Sequence, residues 1–208
     1  MFSLKGIPYL LFAVILFFTF YCSEPTEINP FPIEIIPLDM GNSWSYVRTN
    51  YDSTGIVEYT EDITSTINKD TIIDQLTWYG YSDTPSGIWF TNKSNGYWVY
   101  ARWNNGNAIV DTMLRIYKYP AIVGEVFDFP SFRREVVSTN ELITVPAGSY
   151  KTIHYSDTFL DSSNYLLDSF EIFVAQGIGL IKRVQIGRKQ DGTRFMVFEE
   201  ELENFILN

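Results

Sequence analysis

From Pro37 onward, apolar and polar side chains alternate along the chain, as in Thr152-Ile153-His154-Tyr155-Ser156 and Ser169-Phe170-Glu171-Ile172. A period of two sets successive side chains on opposite faces of an extended backbone, so each such run predicts a β-strand with one face buried. Candidate strands cover residues 44–51, 56–67, 71–81, 87–91, 97–103, 108–119, 132–138, 142–145, 150–158, 165–175, 180–186 and 194–207. Polar, glycine-containing clusters interrupt them roughly every eight to twelve residues. Among these are Asp52-Ser53-Thr54-Gly55, Asn68-Lys69-Asp70, Ser94-Asn95-Gly96, Asn104-Asn105-Gly106-Asn107 and Gln190-Asp191-Gly192, which carry the residue types that tight turns need. Short links pair consecutive strands and predict a meander. No window carries a run of apolar residues at helical spacing. The best, 199–207, reads equally well as a strand, so at most one short helix is expected. An open twisted sheet of this many strands curls or splits. The expectation is therefore an all-β fold, a curved antiparallel meander forming a half-barrel, a barrel or a sandwich, with a concave face.

The N-terminal 37 residues break this pattern. Residues 1–21 read as a signal peptide, with Lys5 in a short basic region and an apolar run over 7–21 that includes Leu10, Leu11, Phe12, Val14 and Ile15. The run is shorter than the roughly 20 apolar residues of a membrane-spanning helix. Cys22 closes it, as the lipidated cysteine of a bacterial lipoprotein does, and a diacylglycerol there would hold the protein on a membrane. Tyr21 departs from the small residue that usually precedes such a cysteine, which leaves an uncleaved anchor helix or simple secretion as alternatives. With lipidation, Ser23 resembles the outer-membrane sorting pattern. Residues 22–37 contain Pro25, Pro30, Pro32 and Pro37 and read as a lipid-anchored, stiff tether, leaving 38–208 as a single β domain.

Charge and cysteine content narrow the classes further. The net charge is −10, and loss of the leader removes Lys5, so phosphate-rich partners are disfavoured and no nucleic acid is expected. Cys22 is the single cysteine, which excludes an internal disulfide or a thiolate metal cluster. Stability must then come from the core, and aromatic residues at 17% supply it.

Two stretches echo each other: Pro37 to Trp44 and Pro120 to Phe127 each carry proline, glycine four residues later and a large aromatic three after that. Proline ends an extended segment, glycine permits a positive-φ corner, and the aromatic plugs the core as the next strand begins. An internal duplication and chance both account for three matched points. Pro37-Leu38-Asp39-Met40-Gly41-Asn42-Ser43-Trp44-Ser45-Tyr46 also resembles the P-L-x-x-G-N-x-W-x-Y opening of uncharacterised bacterial envelope lipoproteins. Val145-Pro146-Ala147-Gly148-Ser149-Tyr150 is similar to their V-P-A-G-[ST]-[FY] corner, and Gly177-Ile178-Gly179-Leu180-Ile181 to their G-[IV]-G-L-[IV] corner. The resemblance implies a curved sheet broadly similar to the half-barrels of lipoprotein carriers such as LolA and LolB, and it brings no activity with it.

Candidate chemistry is sparse. His154 is the sole histidine, and a histidine metal site needs company, so it reads as an ordinary strand residue. No G-x-S-x-G elbow is present. Asp62, Asp74, Asp111 and Glu171 could supply a carboxylate pair only if the fold set two across a cleft. Glu199-Glu200-Glu201 lacks the order of a calcium loop and reads as a solvated strand face. No catalytic residue, metal or cofactor is expected, and an enzyme is not. The aromatic series is the remaining signal. Trp89, Tyr97, Trp98 and Trp103 are candidates to line an apolar cavity or to contact a ligand. Two functions follow: an envelope lipoprotein holding a lipid or other apolar small molecule in the concave face, or a surface-displayed module contacting glycan or protein through exposed rings.

Overall fold

The computed structural model describes residues 34–104, 109–160 and 167–208. The leader, Cys22 and the tether as far as residue 33 lie outside the described residues, as does most of the Asn104–Asn107 turn cluster. Twelve strands follow in order: β1 (Ser43–Tyr51), β2 (Val57–Ile73), β3 (Leu76–Tyr81), β4 (Ile88–Lys93), β5 (Gly96–Asn104), β6 (Ile109–Lys118), β7 (Val126–Asp128), β8 (Phe132–Val145), β9 (Gly148–Phe159), β10 (Ser169–Ala175), β11 (Gly179–Arg188) and β12 (Arg194–Ile206). They form one antiparallel sheet in the order β6-β5-β4-β3-β2-β1-β12-β11-β10-β9-β8-β7. Consecutive strands are neighbours except β6 and β7, which are the open edges, and β12 returns to lie beside β1. The fold is thus the expected all-β meander, curved but not closed, with no helix among the described residues. The stretch 199–207 is strand.

Two sequence expectations about local structure are corrected. The polar cluster Asn68-Lys69-Asp70 does not turn; β2 runs through it, pairing Lys69 with Gly80 and Asp70 with Tyr79. The hairpin turns instead at Asp74-Gln75, both at positive φ (50° and 65°), a geometry whose twist suits the flanking strands. Asn68 and Asp70 are exposed, which is why polarity alone read as a turn. Likewise 132–138 and 142–145 merge into the single strand β8, because register shifts between Val136 and Glu141 absorb the polar residues between them. The short β7 had no sequence signal of its own.

The echo between Pro37–Trp44 and Pro120–Phe127 is a repeated corner. Gly41 donates to the Ile67 carbonyl, Asn42 to Asp39, and Ile67 to Asn42; in the same pattern Gly124 donates to Val136, Glu125 to Ile122, and Val136 to Glu125. Gly41 and Gly124 have φ of 89° and 81°, the left-handed region open to glycine. Each corner starts a six-strand meander, β1 to β6 or β7 to β12, and each leans on a fully buried aliphatic residue, Ile67 or Val136.

The two open edges meet through side chains. Tyr155 of β9 donates to the Lys118 carbonyl at the end of β6 (2.7 Å), and the Arg134 guanidinium of β8 donates to the Ile116 carbonyl of β6 (2.5 Å). Lys118 pairs with Glu125, and the Tyr117 and Tyr155 rings lie 5.1 Å apart. Inside the curve, Trp44, Tyr46, Ile67, Tyr97, Val136, Tyr155, Ile172 and Leu202 form the core. Residues 34–37, which the sequence reads as the end of the tether, join that core: Ile35 and Ile36 are buried, Asn92 donates to the Ile36 carbonyl, and Gly177 donates to Glu34.

Candidate functional site

Inward alternation on β1, β3, β4, β5 and β6 places Trp44, Tyr46, Tyr81, Phe90, Tyr97 and Tyr117 around a cavity of about 280 Å³ on the concave face. The rings brace one another. Phe90 stacks on Tyr97 at 5.6 Å, Tyr97 on Tyr117 at 6.0 Å, and Tyr81 meets Trp44 and Phe90 edge to face. Such ring pairs add about 0.5 to 1.5 kcal/mol each beyond area burial. The phenols are satisfied within the wall: the Tyr81 and Tyr97 hydroxyls share a hydrogen bond of 2.9 Å, and Tyr46 donates to the Leu180 carbonyl. Burial pushes the pKa of Tyr46, Tyr81 and Tyr97 far up, so these hydroxyls stay neutral. Ile36, Ile63, Ile116 and Leu180 fill in the apolar lining.

One end of the cavity is charged. Arg48, Glu200 and Arg183 stand directly opposite one another on β1, β12 and β11. Glu200 is 3% exposed, and both of its carboxylate oxygens are taken. Arg48 donates from Nε (2.9 Å) and Nη2 (2.6 Å) to Oε2, while Arg183 Nη2 lies 3.1 Å from each oxygen. The ring of Phe198 supports both guanidinium groups, at 4.7 Å from Arg48 and 5.5 Å from Arg183. Arg183 Nε is buried and has no hydrogen-bond partner among the described residues. Asp83 and Ser65 also line the cavity, where the Ser65 hydroxyl donates to Asp83 at 2.7 Å.

The structure separates the candidate aromatics. Tyr97 is 3% exposed and belongs to the cavity wall. Trp89 and Trp98 lie on the opposite face, where Trp89 pairs across strands with Tyr100 and Trp98 with Thr91. Both are half-buried beneath lysines: Lys69 Nζ is 5.8 Å from the Trp89 ring and Lys93 Nζ is 4.6 Å from that of Trp98. Trp98 also donates to Asn95. Trp103 sits on β5 opposite Val110, and its side chain lies outside the described residues. Cys22 does as well.

Sequence reasoning missed Arg48, Arg183 and Glu200. The reading of Glu199-Glu200-Glu201 as a solvated face fails at its centre: Glu199 and Glu201 both pair with Lys182, while Glu200 turns inward with Phe198 and Leu202. The alternation Phe198, Glu200, Leu202 carried that signal, overridden by the run of charge. His154 sits in β9 between Glu141 (3.0 Å) and Glu171 (2.8 Å), with its ring stacked on Phe173 at 4.3 Å. Burial works against its charged form, but the hydrogen bond to Glu171 and the field of both carboxylates prevail and hold its pKa above the ordinary histidine value. Among the described residues no group of three or more His, Cys, Asp or Glu is placed to hold a metal ion.

No family model matches the chain, and no curated protein sequence is similar to it. Solved structures are similar in fold. A protein from Bacteroides fragilis, described as exported and as having a YmcC-like fold, superposes with a TM-score of 0.52 at 10% identity, covering 83% of this chain and 98% of its own. A protein from Parabacteroides distasonis described as a lipoprotein gives a TM-score of 0.46 at 15% identity, over 84% of this chain and 99% of its own.

Proposed function

We propose that the protein is an exported lipoprotein of the bacterial cell envelope, without a catalytic role, that binds a small apolar molecule in the cavity of its concave sheet. The observation that carries this reading is the 280 Å³ cavity walled by aromatic rings, with the Tyr46, Tyr81 and Tyr97 hydroxyls bonded within the protein. Such a wall offers apolar faces with little polar demand, the usual composition of a small-molecule pocket. Size selects among ligands. At about 280 Å³ the cavity lies at the small end of ligand pockets, enough for one fused ring system or a short chain and short of a two-chain lipid. A role as carrier of whole lipids, which the half-barrel resemblance suggests, therefore fits less well than capture of a small amphiphile.

Export rests on the leader and on Cys22, and the descriptions of the two similar structures agree with it. Ser23 after the cysteine favours the outer membrane. Two experiments test the proposal. Radiolabelled fatty acid should enter the protein expressed in a bacterial host and be lost in Cys22→Ser, which should then leave the membrane fraction. Neutral 2-naphthol should bind the folded domain, read by calorimetry, and cavity-filling Ile63→Trp should abolish that binding. Saturable binding that survives Ile63→Trp would remove the cavity from the reading.

A further inference from the structure

We infer that the cavity takes a ligand with a negatively charged end, a carboxylate or similar oxyanion, and that Arg183, assisted by Arg48, receives that charge. This rests on the cavity reading above and specifies the chemistry of its occupant. Two guanidinium groups face one buried carboxylate, and Glu200 has no oxygen left to offer. The inner part of the polar end thus sets two guanidinium groups against one carboxylate, and the other acidic groups there lie toward solvent. Glu61 touches only Arg48, at 3.4 Å, and its side chain is 43% exposed, so solvent screens it. Asp83 lines the same cavity, where solvent screens its exposed carboxylate, and it accepts from the Ser65 hydroxyl.

The second observation is the Arg183 Nε itself. This buried nitrogen belongs to a charged group whose Nη2 is spent on Glu200, while a third of the side chain (34%) remains accessible. Guanidinium presents its donors in a plane, the geometry that a carboxylate accepts from two directions. The ring centroids of Phe198 and Phe170 lie 5.5 and 6.0 Å from its Cζ. Beside it stand Tyr46 and Tyr117, neutral rings that exclude water and strengthen a charge-assisted bond there. The occupant is accordingly a small aromatic or short-chain acid, its apolar body among the rings and its anionic end at Arg183.

The test uses 2-naphthoate, 2-naphthol and 2-naphthylmethylammonium, matched in shape and differing in charge, titrated by calorimetry into the folded domain. The expected result is naphthoate bound at least tenfold tighter than naphthol, and the ammonium weakest, since one charge-assisted hydrogen bond contributes about 1.5 to 3 kcal/mol. In Arg183→Gln the ratio of naphthoate to naphthol affinity should fall toward one; in Arg183→Lys part of it should return. Should Arg183→Gln not fold, the unaltered protein still decides the matter, because bound naphthoate must protect Arg183 from phenylglyoxal modification. Naphthol and naphthoate binding equally, a preference that survives Arg183→Gln, or absence of protection each overturns the anionic assignment and leaves the cavity reading standing. Failure of all three ligands to bind overturns both.

Discussion

Replacing Arg134 should unfold the seam between the two sheet edges at a cost that the structure bounds. Its side chain is 5% exposed and that of its partner Asp157 is 4% exposed. Nε and Nη2 donate to the two carboxylate oxygens at 2.5 and 2.6 Å, and Nη1 reaches across to the Ile116 carbonyl on β6. Tyr117, Phe129, Phe132 and Tyr155 surround the guanidinium with ring centroids 5.1 to 6.0 Å away. Burial pulls both members toward neutrality. The bidentate bond opposes this, and Arg134 stays charged with a raised pKa. In Arg134→Met the side chain still fills space among the rings, but Asp157 is left buried without its counter-ion, a loss of about 3 to 5 kcal/mol. With a urea m-value of about 2 kcal/mol per M, the unfolding midpoint should drop by about 1.5 to 2.5 M. The double variant Arg134→Met with Asp157→Leu removes both charges and should recover most of the loss, short by about 1 kcal/mol for the unmet Ile116 carbonyl. Equilibrium urea unfolding followed by tryptophan fluorescence measures all three. The reasoning is refuted if the single variant lies within about 1 kcal/mol of the unaltered protein, or if the double variant is no better than the single.

Two further outcomes follow from the same geometry. The His154 pKa is raised in the folded protein, so its contribution to stability is complete below the unfolded value of about 6.5 and is lost as pH rises through the folded value; NMR titration of this sole histidine should give a midpoint above 6.5, and His154→Gln should flatten the stability profile over that window. Gly124→Ala should cost about 1 to 2 kcal/mol from the left-handed backbone alone, since nothing lies within 4 Å of the added methyl, whereas Gly41→Ala should cost more, because that methyl meets the Asn208 amide at 2.8 Å; thermal unfolding of the two variants ranks them.

Much of the sheet was legible in the sequence because the hydrophobic effect imposes a period of two wherever a strand has one buried face. The alternation around Trp44 and Tyr46, and around Ile153 and Tyr155, marks strands whose inward residues are core. Turns were legible where glycine was required, as at Ser94-Asn95-Gly96, and illegible at Asp74-Gln75, where two ordinary residues take positive φ under the pull of flanking strand pairing. The aromatic series was visible as composition, but its division between two faces depends on register: Tyr97 and Trp98 are adjacent in sequence and opposite in space. The Arg48, Glu200 and Arg183 group was illegible for a stronger reason. Its members come from β1, β12 and β11, and only the return of the last strand to the first makes Arg48 and Glu200 neighbours.

That return gives the molecule two unlike junctions between its six-strand halves. One, between β1 and β12, is a backbone ladder with a single register shift at Ser45–Tyr46; the other, between β6 and the β7–β8 side, is fastened by a phenol, a guanidinium and a lysine. A jacket sewn down one side and buttoned down the other comes apart at the buttons. A chain nicked within residues 120–123 would therefore keep every rung of the sheet's ladder while setting its new ends where the fabric already parts.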